Sequence, residues 1–293
     1  MTNSTKAPPK NRYHNAPRAE DFTIDQDWGS YTAAEHDRWD RLFRRQREVT
    51  RGRACQAALD AMTALELSAS GIPDMAQLSD RLEPLTGWRI VAVAELVPDD
   101  VFFNHLANRR FPAGAFIRPE AEFDYLQEPD IFHDIFGHVP LLANPVFADF
   151  MEAYGKGGQR AMDLGQLHNL ARLYWYTVEF GLIREAGDLR IYGAGILSSP
   201  NETVFSLEGE SPNRVAFDLQ RIMRTKYIID DFQQTYFVID SFDALLEACY
   251  KDFGDVYADI KGKTDFEAHE IAPGDDVISR GTLAYFKKRK VDL

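Results

Sequence analysis

Two histidines, His133 and His138, stand five residues apart, and Glu179 follows inside an aromatic helical stretch forty-one residues beyond the second. Whatever this chain folds into has to account for those three side chains. If they meet, two imidazoles and one carboxylate hold a divalent metal from one side and leave the other side open. Oxygen activation at non-haem iron requires that kind of half-filled coordination sphere.

The spacing constrains the backbone between the histidines. On an ideal α-helix, five residues turn a side chain by about 140°, so the imidazoles converge only if the helix is irregular or ends between them. Gly137 and Pro140 point to an ending, since Gly relaxes a helix terminus and Pro follows it. His133 is therefore expected on the last turns of a helix and His138 at its exit. The plainer alternative is a pair of hydrogen-bonded histidines in an apolar run. Glu179 weighs against it, because Tyr174, Trp175, Val178, Phe180 and Leu182 surround it in sequence. A carboxylate in such company is unfavourable unless it is paired or binds a cation.

The 293 residues, 45% hydrophobic, are enough for one large domain or two. A formal charge of −13 argues against a nucleic-acid partner. The basic run Lys287-Lys288-Arg289-Lys290 reads as a solvated tail. Cys55 and Cys249 make neither a disulfide framework nor a Cys-x-x-Cys motif. The N-terminus carries no apolar signal core, and nowhere do eighteen apolar residues run together. A cytoplasmic protein without a membrane partner is expected.

Residues 1–30 are polar, with Pro8, Pro9 and Pro17, and read as a loose N-terminal arm. Thr32-Ala33-Ala34-Glu35 is a capping box opening a helix to which Trp39, Leu42, Phe43 and Val49 give a partly apolar face, and a second helical piece reaches about Leu67. Asp74 reads as the N-cap of a helix to about Leu82. Trp88–Val93 reads as a short strand, Pro98 as the opening of a helix carrying Phe102, and Ala115–Arg118 as a second extended piece. Helices are expected near 129–138, 145–155 and 164–185. Tyr192-Gly193-Ala194-Gly195 is not expected to be regular helix, Tyr236–Ile239 reads as a strand, and Phe242 to about Tyr257 as a helix. The fold class is mostly α with small, short-stranded β elements (α+β), a single catalytic domain over 31–293.

Three ordered motifs, Glu128–Pro140, the aromatic helix around Glu179, and Tyr192-Gly193-Ala194-Gly195-Ile196-Leu197-Ser198-Ser199, together resemble the pterin-dependent aromatic amino acid hydroxylases over roughly 70–260. The short layout resembles bacterial members that act on phenylalanine. The resemblance implies Fe(II) held by His133, His138 and Glu179, a tetrahydropterin (tetrahydrobiopterin or a relative) as cofactor, and O2 as co-substrate. It implies a ferryl oxidant that converts phenylalanine to tyrosine. Phe102 matches the ring that stacks on the pterin, with Leu96 and Val97 contacting it through their backbone. Arg118 matches the residue that grips the substrate carboxylate, for which a planar guanidinium is suited. Pro129, Trp175 and Phe180 match walls of the amino acid pocket, and Ser198 borders it. Tyr174 matches a residue near iron-bound water. Asp134 stands where animal members commonly carry glutamate, Pro112 where they often have histidine, and Leu126 where they have a small hydroxyl residue. Val238 matches a pocket position that is acidic in tyrosine hydroxylases. The missing regulatory and coiled-coil segments imply a monomer.

Hydroxylation of tyrosine or tryptophan by the same chemistry is the near alternative. A zinc hydrolase is a rival in a different class, although its usual His-Glu-x-x-His spacing is not met here. A helical binding module without chemistry is the rival outside enzymes.

Overall fold

The computed structural model describes residues 11–124, 128–250 and 253–289; Leu126 and Lys290 lie outside them. Helix α1 (Ala33–Val49) opens on the expected capping box: Thr32 Oγ1 accepts from Glu35 N–H, and the Glu35 carboxylate accepts from Thr32 N–H at 2.8 Å. Its buried residues, Trp39, Leu42, Phe43 and Gln46, recur at the three- and four-residue spacing that makes one face. Helix α2 (Gln56–Ala64) follows. Helix α3 (Met75–Thr86) begins on Asp74, whose carboxylate accepts from Ala76 and Gln77 N–H. It runs past Pro84, four residues beyond the expected end.

Strand β1 (Arg89–Val93), helix α4 (Asp99–Ala107) and strand β2 (Arg110–Gly114) form a βαβ unit with parallel strands. The second extended piece therefore lies one segment earlier than the Ala115–Arg118 expected for it. Pro112 obscures the strand in the sequence. It is tolerated because the sheet has two strands, so β2 needs a partner on one side only.

A helical stretch from Ile131 to Leu142 contains a π turn, His133–His138, followed by α5 (Val139–Leu142). Its residues Phe132 and Phe136 are buried against Trp39 and Phe43 of α1, with ring centroids 5.5 and 5.4 Å apart. Helix α6 (Pro145–Asp163) packs closely on α4: a Cβ at Gly158 would lie 1.9 Å from the Phe103 ring. Helix α7 (Leu167–Tyr174) passes directly into a second π turn, Trp175–Glu179.

The chain then departs from the helix expected to reach 185. Strands β3 (Leu182–Glu185) and β4 (Asp188–Ile191) make a tight hairpin. Helix α8 (Ala194–Leu197), starting within the Gly-Ala-Gly segment expected to be non-helical, and α9 (Pro200–Glu208) lead to β5 (Asn213–Ala216), α10 (Leu219–Met223) and β6 (Thr235–Ile239). Helices α11 (Phe242–Cys249) and α12 (Phe253–Ile260) stand where one helix was expected. Strand β7 (Val277–Ser279) and α13 (Ala284–Arg289) complete the described chain. The strand order β4-β3-β6-β5-β7 is mixed, with β3–β6 and β5–β6 parallel. Helix dominates and the strands are short, the fold class expected.

Residues 11–30 are not loose. Tyr13 is buried and its hydroxyl donates to Gln26 O, while the Gln26 amide bonds Pro73 O and Met75 N–H. Ile24 N–H donates to Ala92 O of β1, and the Trp28 indole donates to Ile72 O. The few aromatic residues of this polar segment are enough to fasten it along β1 and the start of α3.

Candidate metal centre and its cavity

The two π turns decide the geometry. A π turn closes hydrogen bonds from i to i+5, so side chains five apart come onto one face; here Val139 N–H donates to Asp134 O. The helix therefore does not end between the histidines, as Gly137 and Pro140 suggested, but widens and continues. Gly137 serves close approach: a Cβ there would lie 2.8 Å from Ala194 O of α8.

His133 Nε2 and His138 Nε2 lie 3.1 Å apart. Glu179, at the end of the second π turn, brings Oε1 to 3.1 Å from His138 Nε2 and Oε2 to 3.6 Å from His133 Nε2. The tautomer of His133 follows from its other nitrogen. Ser198 Oγ donates to Ala194 O at 2.8 Å, so it accepts from His133 Nδ1–H at 2.9 Å. That places the proton on Nδ1 and turns the Nε2 lone pair toward His138 and Glu179. Burial pushes the His133 imidazole down to about 4, so it is neutral near pH 7. His138 titrates above the ordinary range: burial opposes its charge, but the Glu179 carboxylate outweighs burial. Glu179 is lowered, against burial, by His138 and His133. Two imidazole nitrogens and a carboxylate that together favour a positive charge are a donor set suited to a divalent cation.

Asp134 also offers a carboxylate oxygen within 4.8 Å of the donor atoms of both histidines. Its Oδ2, however, accepts from Gly114 N–H at 2.7 Å, and burial pushes its carboxyl up to about 7. Glu179 is the closer and more ionised third donor.

His133, His138, Asp134, Tyr174 and Glu179 line one cavity of about 280 Å³, together with Phe102, Leu96, Val97, Pro129 and Pro112. The Phe102 ring meets Tyr174 edge-on at 5.8 Å. The remaining expected residues stand outside that lining. Arg118 is buried, with Nε and Nη2 bonded to the two Asp130 carboxylate oxygens at 2.9 and 2.8 Å. Asp130, wholly buried, also accepts from the backbone N–H of Arg118 and of His133, so it fixes the start of the donor helix. Ser198, expected at the pocket border, is bonded to His133. Trp175 and Phe180 pack together at 4.8 Å, and Val238 is buried on β6 opposite Leu182.

Sequence reasoning missed Asp130, whose signal was its place three residues before His133. It also missed Gly114, Glu95 and Asp99 of the cavity wall and Gln233 behind Trp175, none of which carries a local signal.

A mostly helical domain whose cavity wall holds two histidines and a carboxylate on one flank has the donor set of mononuclear non-haem metal enzymes. The family model for biopterin-dependent aromatic amino acid hydroxylases matches residues 12–258, and the chain belongs to that family. It is 61% identical over 265 residues to the phenylalanine-4-hydroxylase of Caulobacter vibrioides, covering 90% of each chain. It is 54% identical over 263 residues to that of Chromobacterium violaceum, covering 90% of this chain and 89% of that one. The crystal structure of the Chromobacterium violaceum phenylalanine hydroxylase bound to cobalt superposes with a TM-score of 0.89 at 53% identity, over 92% of this chain and 97% of that chain. Among the described residues no helix is long and apolar enough to cross a membrane.

Proposed function

We propose that the chain hydroxylates L-phenylalanine to L-tyrosine, using O2, Fe(II) and a tetrahydropterin. The observation that carries this reading is the convergence of His133 Nε2 and His138 Nε2, 3.1 Å apart, on the Glu179 carboxylate, whose Oε2 lies 3.6 Å from the first and Oε1 3.1 Å from the second, in a chain of this family. His133, His138 and Glu179 hold the iron. Bound together, iron and tetrahydropterin supply the reductive activation of O2 that aromatic hydroxylation needs.

The protein's own part is binding, orientation and control of protons. Ser198 keeps the proton on His133 Nδ1, so the metal-facing nitrogen stays a donor. Phe102 offers its ring to the pterin, and Leu96 and Val97 offer their backbone. Asp134, anchored by Gly114 N–H, and Tyr174 hold water beside the centre. Arg118, held along one edge by Asp130, presents Nη1 to the substrate carboxylate. Pro129, Trp175 and Phe180 wall the substrate ring and keep water from it. Val238 leaves a substrate phenol without a polar partner, which favours phenylalanine over tyrosine. A monomeric, cytoplasmic enzyme belongs to the same proposal; the two buried cysteines, free of any disulfide, suit a reducing compartment.

The test is reconstitution of metal-free protein with Fe(II) or Zn(II), followed by turnover of phenylalanine, tyrosine and tryptophan with tetrahydropterin. Tyrosine formed from phenylalanine with Fe(II) alone is the expected result. Equal activity with Zn(II), or preference for tyrosine or tryptophan, overturns it.

A further inference from the structure

We propose that Gln233 is a positioning residue for the amino acid pocket, setting the orientation of the Trp175 indole; this rests on Trp175 being a wall of that pocket. The Trp175 indole N–H donates to Gln233 Oε1 at 2.9 Å. Gln233 is buried, and its amide is fully oriented. Nε2 donates to Ile228 O at 2.7 Å and to Asp231 O at 3.2 Å, so the oxygen has to face the indole. The Gln233 backbone N–H in turn donates to Glu202 Oε1 at 3.3 Å, and the same oxygen accepts from the Tyr236 hydroxyl. Glu202 sits on α9 and is buried, so Gln233 is also held from behind, by α9.

The indole itself is confined at its faces. Tyr227 stacks on it with centroids 4.5 Å apart and planes 18° apart, and Phe180 packs at 4.8 Å. Ring stacking tolerates rotation within the ring plane, whereas a hydrogen bond to Nε1 does not. Gln233 supplies that missing constraint, and it does so for a residue on the same π turn as Glu179. The segment from Tyr227 to Gln233 thereby delivers both the stacking ring and the hydrogen-bond acceptor to one side chain. A shift of this segment reaches the pocket wall without passing through the metal donors.

The experiment uses the full chain. In metal-free, 15N-labelled protein the Trp175 indole N–H resonance is identified by its loss in Trp175→Phe. Gln233→Leu is expected to move that resonance and leave those of Trp39 and Trp88 in place. In Fe(II)-loaded protein Gln233→Leu is expected to raise the phenylalanine KM roughly tenfold, the scale of one buried unpaired donor, with the pterin KM within about twofold. The change should largely vanish when Gln233→Leu is made in the Trp175→Phe background. If Gln233→Leu does not fold, Gln233→Met, closer in shape, carries the same expectations. An unmoved Trp175 resonance, equal changes in both KM values, or a full effect in the Trp175→Phe background overturns the proposal. Failure of wild-type protein to hydroxylate phenylalanine would instead overturn the functional reading, and the indole resonance would still decide the role of Gln233.

Discussion

Glu179 and Ser198 act at different removes from the same centre, and substitutions should separate them. Glu179→Ala removes the carboxylate whose oxygens lie 3.6 and 3.1 Å from the two imidazole Nε2 atoms. Iron content after dialysis and tyrosine formation should both fall to background, while circular dichroism stays that of the folded chain. Ser198→Ala leaves all three donors in place but removes the acceptor that holds the His133 Nδ1 proton. Metal affinity should weaken roughly 10- to 100-fold, as is usual for partners of metal-bound histidine, measured by competition with a chelator; unchanged affinity would discard the tautomer argument. That His133, His138 and Glu179 meet was legible in the sequence, because a lone carboxylate in an aromatic helix needs a partner. The role of Ser198 was not, since its bond to His133 spans sixty-five residues and a serine beside a pocket reads equally well as a substrate contact. Arg118 was expected to grip a substrate carboxylate; its buried pairing with Asp130 was not legible, because nothing local in the sequence ties the two together.

At the scale of elements, the π turns were the least legible feature. Gly137 and Pro140 are the residues that end helices elsewhere, and only the approach of α8 shows that Gly137 is there for room. Gly137→Ala would force a methyl to 2.8 Å from Ala194 O. It should lower stability by roughly 1–3 kcal/mol and lower metal occupancy as well, because α8 leads directly to Ser198. Urea unfolding together with iron content checks this, and a wild-type midpoint in both would reject it. The β3–β4 hairpin was hidden for a different reason. Its turn uses Ala186 at φ 52° and Gly187 at φ 89°, a left-handed pair usually announced by Asn-Gly, and alanine there gives no such signal. Helices whose capping residues were recognised, by contrast, were read to within a few residues, since Thr32 and Asp74 each bond the backbone as their type predicts.

At the scale of the whole molecule, two consequences concern stability. Residues 11–30 cover β1 and the start of α3 through Tyr13, Ile24, Gln26 and Trp28, so removing residues 1–30 should lower the thermal midpoint by roughly 5 °C or more; an unchanged midpoint would restore the reading of a loose arm. Burial pushes the Glu202 carboxyl up from 4.5 to about 7. Between those values the folded chain keeps a proton that the unfolded chain has released. Stability present on the acid side is therefore lost as pH rises through that window, by on the order of 3 kcal/mol. Glu202→Gln cannot titrate, and its denaturation free energy should vary less between pH 5 and pH 8 than that of the wild type; parallel curves would show that Glu202 is not the group responsible. The π turns also bear on how such a chain can change. Each packs one more residue into a turn than a regular helix does, so the meeting of the three donors depends on a count of residues as well as on their kinds. Exchanging side chains one for another leaves that count untouched. Relaxing the first turn to ordinary pitch without removing a residue would swing the imidazoles about 140° apart, whereas deleting one position there would leave them four apart and again on one face, so pitch and spacing have to match for the ion to be gripped.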